Sequence, residues 1–116
     1  MLHLFETNSD LFRSWQVVRY EQEGDAYMLQ LAAILQDGSR LEMRDYLFVD
    51  GSRKYAYQWM EANGDLRQRW DNAPHWPNVA TAPHHTHVAG RSEPESSTIT
   101  NLEDLLHFIR HWSAPQ

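Results

Sequence analysis

The sequence predicts an α+β fold: an antiparallel β-sheet of four to five strands, connected as a meander, with a C-terminal α-helix packed on one face. Two observations predict it. Runs of strand-forming residues are separated by the dipeptides Asp37-Gly38, Asp50-Gly51 and Asn63-Gly64, which favour tight hairpin turns. The last part of the chain, from Thr100, instead places its apolar residues at helical spacing.

Composition limits the class of protein. With 116 residues and 41% hydrophobic content, residues 1–116 fit a single domain. The absence of cysteine excludes disulfides, thiolate metal ligands and cysteine nucleophiles. The sequence shows neither a signal-peptide pattern nor an apolar run long enough to cross a bilayer, so we expect a cytoplasmic protein with no membrane partner. A formal net charge of −6 argues against a broad basic face for duplex DNA but leaves room for a local phosphate site.

The strands of the predicted sheet lie within residues 15–72. The first strand, Trp15–Glu23, is rich in strand formers, and the mostly apolar residues of Ala26–Gln36 suit a central strand. The next strand alternates apolar and polar residues over Arg40–Val49, in which Asp45 does not fit the pattern. For Met1–Trp15 we expect an edge strand followed by a short helical turn.

The last predicted hairpin forms the polar end of the sheet. Lys54–Glu61 places its aromatic side chains on one face, and Leu66–Asn72 returns as the antiparallel partner. Because side chains alternate along a strand, we expect Arg67, Arg69 and Asp71 to share one face.

Residues 73–91 are predicted to be a proline-containing loop that holds four of the seven histidines of the chain. Loops fixed on a rigid scaffold are where binding and catalytic groups collect. Within this loop, residues 85–88 are expected to form a short strand that directs His85 and His87 to the same side. Residues 92–99 are predicted to be a polar linker.

Residues 100–112 are predicted to form the C-terminal helix. Thr100 and Glu103 match a capping box, which predicts where the helix begins. The apolar residues that would face the sheet are Leu102, Leu105, Leu106, Ile109 and Trp112.

The C-terminal half of the chain resembles a known family. It has a Tyr-x-Tyr strand at Tyr55 and Tyr57, an Arg-aromatic-Asp-Asn-x-Pro-His segment that begins at Arg69, and a Pro-His-His-x-His segment that begins at Pro83. In this order, these motifs resemble the TumE-type toxin family of prokaryotic type II toxin–antitoxin systems. This chain has Trp76 where many members carry a second histidine. The resemblance implies a cytosolic toxin with a ribonuclease-like activity, whose partner is an antitoxin with a helix-turn-helix domain.

The grouping of arginine, aspartate and histidine favours metal-independent cleavage of RNA. Two of the histidines would act as general base for the ribose 2′-hydroxyl and general acid for the leaving 5′-oxygen. Asp71 would orient one of them, and Arg69 would hold the phosphate. The predicted catalytic residues are Asp71, His75, His85 and His87. The predicted substrate-binding residues are Tyr57, Arg67, Arg69, Asn72, Trp76 and His84. Of these, the aromatic residues Tyr57 and Trp76 would stack a base.

Alternative functions stay open. No cofactor is expected, but zinc or another divalent metal could be held by ligands drawn from Asp71, His75, His84, His85 and His87. The loop could instead be a non-catalytic surface that binds the antitoxin or another protein, and a homodimer is a further open alternative. The same residues also have ordinary structural roles, because an arginine and an aspartate two apart often form a surface ion pair and tyrosines often pack in a core.

Overall fold

The computed structural model describes residues 2–112, which form one antiparallel sheet and two α-helices. Helix α1 covers Leu2–Thr7, and a short 3₁₀ helix follows at Ser9–Leu11. The strands are β1 Phe12–Glu23, β2 Ala26–Leu35, β3 Arg40–Leu47, β4 Arg53–Met60, β5 Leu66–Asp71, β6 His85–Val88 and β7 Glu95–Ser96. Helix α2 covers Leu102–His111. None of the helices in residues 2–112 is long and apolar enough to span a membrane.

The sheet is a meander in which each strand pairs antiparallel with the next one. The predicted α+β class is confirmed, but the predicted number of strands is wrong, since the sheet has seven rather than four to five. Beyond the first five strands, β6 lies in the predicted loop, at the residues where a short strand was expected, and β7 lies in the predicted linker. A strand of two residues such as β7 shows too little alternation to be identified from sequence.

Strand β6 extends the sheet at the free edge of β5. Arg69 pairs with His87, and Asp71 pairs with His85. The expectation of a short strand at residues 85–88 is therefore confirmed, and so is the direction of its two histidines to the same side.

The N-terminal segment is a helix rather than the expected edge strand. Phe5 of α1 is fully buried, its ring stacks on Phe12 at 5.5 Å between ring centroids, and it lies 5.4 Å from the ring of Trp15. These contacts with β1 hold α1 on the sheet. They depend on tertiary packing, so the short apolar pattern in the sequence does not reveal them.

Both helices cover the same face of the sheet. The ring of Trp70 on β5 lies 5.3 Å from that of Phe108 on α2, and the ring of Trp59 on β4 lies 5.0 Å from that of Trp112. The buried core consists of Phe5, Phe12, Leu29, Leu31, Ala33, Leu35, Leu41, Met43, Tyr55, Tyr57, Trp59, Trp70, Leu102, Leu105, Leu106 and Ile109. The predicted packing of the C-terminal helix on one face is confirmed.

The start of α2 differs from the prediction. Its N-cap is Asn101, whose side-chain oxygen accepts a hydrogen bond from the backbone N–H of Asp104 at 2.8 Å. The predicted capping box of Thr100 and Glu103 is therefore wrong by one residue. The backbone carbonyl of Thr100 instead accepts a hydrogen bond from the Arg53 guanidinium at 2.9 Å, which ties the start of the helix to β4.

A buried carboxylate lies between the sheet and α2. Asp45, the residue that does not fit the pattern of β3, is only 4% exposed. Its two oxygens each lie 3.1 Å from the Arg53 guanidinium, and one also accepts a hydrogen bond from the Tyr57 hydroxyl at 2.6 Å. Because the charge is paired and hydrogen-bonded, the fold tolerates a carboxylate at this position.

The other face of the sheet is covered by neither helix, and we call it the open face. Trp70 on β5 and Thr86 on β6 form one cross-strand pair, and Trp70 packs against α2. Since neighbouring residues along a strand point to opposite faces, the residues that flank this pair point to the open face. They are Arg69, Asp71, His85 and His87.

The substitution Asp45→Asn should lower the free energy of unfolding by about 2–3 kcal/mol. The side chain keeps its size, but the Arg53 guanidinium loses its charged partner. The matched control is Asp50→Asn, which changes an exposed turn carboxylate that accepts hydrogen bonds from Ser52 and should have a much smaller effect. Urea unfolding followed by circular dichroism measures both variants. Equal losses would contradict a structural role for the Asp45–Arg53 pair.

Candidate functional site

Asp71, the last residue of β5, is the centre of a polar cluster on the open face. It is 6% exposed. Its carboxylate accepts hydrogen bonds from Arg69 Nε at 3.0 Å and from the backbone N–H of Ala73 at 2.9 Å, and its Oδ1 lies 3.0 Å from His85 Nε2. The carboxylate is thus held by its own strand, by the turn that follows and by strand β6.

His85 lies below the surface, with 1% of its area exposed. Its Nδ1 is 2.9 Å from the backbone carbonyl oxygen of Pro83 and must donate, because a carbonyl oxygen can only accept. Its Nε2 lies 3.0 Å from Asp71 Oδ1. Both ring nitrogens are therefore occupied, and neither is free to contact a substrate.

His87 lies beside His85 and is half-buried. Its ring meets the ring of His85 edge to face at 4.9 Å and that of Trp76 at 6.0 Å, and its nitrogens have no hydrogen-bond partner within residues 2–112. Burial lowers the pKa of His87 below its ordinary value of 6.5. His85 and Arg69 lower this pKa further, whereas Asp71 raises it. At pH 7 the imidazole is neutral and can accept a proton.

Arg69 gives the cluster a permanent positive charge. Besides its bond to Asp71, its Nη1 donates to the side-chain oxygen of Gln58 at 2.8 Å. The arginine side chain is 38% exposed, and a guanidinium has five donors, so donors remain for an anionic ligand. We call Arg69, Asp71, His85 and His87 the β5–β6 cluster.

The cluster also has the composition of a metal site. One ligand atom each from Asp71, His85 and His87 lies within 4.8 Å of the others, and zinc binds imidazole and carboxylate ligands. The oxygens of Asp71, however, already accept hydrogen bonds from Arg69 and from a backbone N–H. A metal bound to this carboxylate would therefore lie beside the Arg69 guanidinium, whose positive charge disfavours a cation there. His75, which the predicted ligand set included, is not part of this group.

Arg67 does not belong to the cluster, so the prediction that it shares a face with Arg69 and Asp71 is wrong. A β-bulge in the pairing of β4 with β5 lies next to Arg67 and interrupts the regular alternation of side chains. The guanidinium of Arg67 lies 4.6 Å from the ring of Trp59 and 4.8 Å from that of Trp112, on the face that carries α2. It also forms ion pairs with Asp37 and Glu61.

Two predicted substrate-binding residues belong to the framework. Tyr57 is fully buried and bonded to Asp45, which leaves its ring no surface on which to stack a base. The side-chain oxygen of Asn72 accepts a hydrogen bond from the backbone N–H of Tyr55 at 3.0 Å, and its amide donates to the carbonyl of Arg53 at 2.9 Å. Asn72 thus continues the pairing with β4 beyond the end of β5.

The remaining predicted residues, His75, Trp76 and His84, lie in three different places. His84 Nδ1 lies 2.8 Å from the hydroxyl of Tyr55, and the two rings stack, so His84 points away from the open face. His75 is exposed in the turn after β5 and lies outside the cluster. Trp76 is 39% exposed and contacts His87, so it is the predicted stacking residue that the structure places next to the cluster.

Sequence reasoning missed three groups that build the cluster. Gln58 positions Arg69. Its place on the polar side of β4, opposite Arg69, is the feature of the sequence from which this contact could have been predicted. The other two are backbone groups, the N–H of Ala73 and the carbonyl of Pro83, which hold the carboxylate and the buried imidazole. Backbone contacts of this kind leave no signal in side-chain identity.

The fold and the cluster define a small α+β protein with an arginine, carboxylate and imidazole site on an open sheet face. The family model described as Toxin TumE matches residues 1–113, and the chain belongs to this family. No match was found among curated proteins or among solved structures. The family match confirms the resemblance seen in the sequence. It makes the chain a toxin of a toxin–antitoxin system, which implies an antitoxin as partner.

His87 should titrate below pH 6.5 in the folded protein, because burial disfavours its charged form. The folded state then binds fewer protons than the unfolded state between the two pKa values, so the stability contributed by His87 is present above pH 6.5 and declines as the pH falls. NMR titration of the imidazole C–H signals measures the pKa, with a His87→Gln spectrum for assignment and the urea-unfolded chain as reference. A His87 pKa equal to that of the unfolded chain would contradict the described environment.

Proposed function

We propose that this toxin cleaves RNA without a metal ion and that His87 is the general base. The observation that carries the proposal is the environment of His87. Its imidazole is neutral at pH 7 and half-exposed, it belongs to the residue paired with Arg69 across β5 and β6, and it packs on the ring of the buried His85. A neutral imidazole that a ligand can reach is suited to take the proton of a ribose 2′-hydroxyl.

In the proposed reaction, His87 accepts the proton of the 2′-hydroxyl, and the 2′-oxygen attacks the adjacent phosphorus. The bond from phosphorus to the 5′-oxygen then breaks, which leaves a 2′,3′-cyclic phosphate and a 5′-hydroxyl. The leaving 5′-oxygen takes a proton from solvent, and His87 returns its proton to solvent. This assignment replaces the pair of histidines expected from sequence, because His85 is buried and His75 lies outside the cluster.

Arg69 would bind the phosphate that is attacked. Negative charge grows on the non-bridging oxygens as the new bond forms, and a guanidinium already fixed in place stabilises that charge without reorganising. Its bonds to Asp71 and Gln58 fix the guanidinium on the strand face. The donors that do not take part in these bonds are left for the phosphate.

Asp71 and His85 would act as positioning residues. Asp71 and the Pro83 carbonyl fix the orientation of the His85 ring. The ring of His87 packs edge to face against it. On its other side, His87 contacts the exposed ring of Trp76. Trp76 would stack the base next to the scissile phosphate, as aromatic side chains do in complexes with unpaired RNA.

The proposal extends to partner and location. Family membership supports an antitoxin in general, and the sequence resemblance implies one with a helix-turn-helix domain. An antitoxin that covers His87 and Arg69 would prevent RNA from reaching them. The cytoplasm, where the RNA substrates are, is the location in which such a toxin would act.

The substitution His87→Gln should lower the rate of RNA cleavage by about 10²- to 10⁴-fold, because the general base is lost. Purified protein and total RNA provide the assay, with melting curves to verify folding. The matched control is His107→Gln, which changes an exposed histidine on α2 and should cleave like the wild type. Equal rates for the two variants would contradict the role of His87. An inactive wild type would favour the non-catalytic binding surface.

Cleavage should continue at an unchanged rate in excess EDTA, because the proposed reaction takes its base from His87 and its positive charge from Arg69 and needs no metal ion. The measurement is the rate of appearance of cut RNA after dialysis against chelator. Activity that disappears in EDTA and returns with added zinc would support the metal alternative instead.

A further inference from the structure

We infer that the open face of the sheet binds an unpaired RNA strand and leads it to His87. The inference rests on the proposed function, because it names the substrate of the same cluster. It assigns binding roles to residues of β3 and β4, which lie next to the cluster but do not belong to it.

The register of the sheet places a basic side chain in line with the cluster. Arg44 pairs with Ala56, Ala56 with Asp71, and Asp71 with His85, so these residues form one row across β3 to β6. Paired residues point to the same face, so Arg44 shares the open face with Asp71. With strands about 4.8 Å apart, the two residues are about 10 Å from each other. Lys54, two residues before Ala56 on β4, points to the same face.

These two cations face solvent, and Glu42, the carboxylate two residues before Arg44 on the same face, lies 3.9 Å from Arg40 instead. Arg44 and Lys54 are exposed, and neither forms an ion pair within residues 2–112. By contrast, Arg19 at the far end of the same row bonds to Glu21 at 2.6 Å. In a chain of net charge −6, free cations beside Arg69 create a local positive surface that attracts phosphate groups.

Aromatic rings lie beside these cations. Tyr46 pairs with Lys54 across β3 and β4, and its hydroxyl accepts a hydrogen bond from the Gln30 amide at 2.6 Å. Its ring lies 6.4 Å, edge to face, from the ring of Phe48, which is 40% exposed. Cations that follow the backbone and exposed rings on which bases stack are the two features that single-strand binding proteins combine.

The ligand that fits this surface is unpaired RNA rather than a duplex. In a duplex the base faces are stacked on one another and are not available to Tyr46 or Phe48. The proposed reaction also needs the 2′-oxygen, the phosphorus and the 5′-oxygen in one line, and a flexible single strand reaches this geometry where a regular A-form helix does not. DNA lacks the 2′-hydroxyl that His87 would deprotonate.

The test is a binding measurement with the full chain carrying His87→Gln, so that the RNA stays intact. Fluorescence anisotropy compares a labelled, mixed-sequence RNA of about 12 nucleotides with the same RNA annealed to its complement. We expect the single strand to bind about 10-fold more tightly or better. Adding Arg44→Gln or Lys54→Gln should each weaken binding by about 3- to 10-fold and reduce the slope against salt concentration by about 0.7.

The matched control is Arg91→Gln, which also removes one positive charge but from an exposed arginine paired with Glu95. It should leave the affinity for the single strand unchanged, which separates a local contact from a general effect of net charge. Circular dichroism spectra and melting curves verify that every variant folds.

The outcomes separate this inference from the proposed cleavage. Equal affinity for the duplex, or unchanged affinity and salt slope in both Arg44→Gln and Lys54→Gln, would overturn the inference. An unchanged kcat/KM for RNA cleavage in both variants would also overturn the inference, but it would leave the proposed cleavage intact. Single-strand binding that depends on Arg44 and Lys54, in a protein that cuts no RNA, would support the inference while the proposed cleavage fails. Antitoxin binding that depends on these residues, with no RNA bound, would overturn the inference in favour of a protein interface.

Discussion

The contact between Asp71 and His85 is the interaction on which the candidate site depends. It joins the last residue of β5 to the first residue of β6, and both side chains are almost completely buried. Burial of a charged group is costly unless its polar atoms find partners, and here Arg69, Ala73 and Pro83 supply them. Because the contact holds β6 at the edge of β5, it also determines where the neighbouring imidazole of His87 lies.

The architecture separates stability from function. Both helices pack on one face, where the aromatic residues of β4 and β5 and the Asp45–Arg53 pair form the core. The other face carries the β5–β6 cluster, in which Asp71 and His85 are buried while Arg69 and His87 stay partly exposed. Side chains on the strands of a rigid sheet are positioned more precisely than side chains on a loop. This precision matters for a reaction that depends on the position of one imidazole.

Features set by local pattern could be predicted from the sequence. The hairpins follow from their Asp-Gly and Asn-Gly turns, the apolar stripe of α2 follows from helical spacing, and the shared side of His85 and His87 follows from strand alternation. Features set by tertiary contacts could not. A bulge turned Arg67 to the opposite face, and the buried pairing of Tyr57 with Asp45 removed a ring expected to stack a base. The backbone partners of the cluster likewise depend on how β6 meets β5.

The chemistry of the cut ends tests the central claim most directly. An RNA that the toxin cleaves at one position would be compared with the same RNA carrying a 2′-deoxy nucleotide on the 5′ side of that position, and the products would be identified by mass spectrometry. If His87 activates the ribose 2′-hydroxyl, the unmodified RNA yields a 2′,3′-cyclic phosphate and a 5′-hydroxyl, and the deoxy-substituted RNA stays intact. Cleavage of the substituted RNA, or products with a 5′-phosphate, would contradict the account.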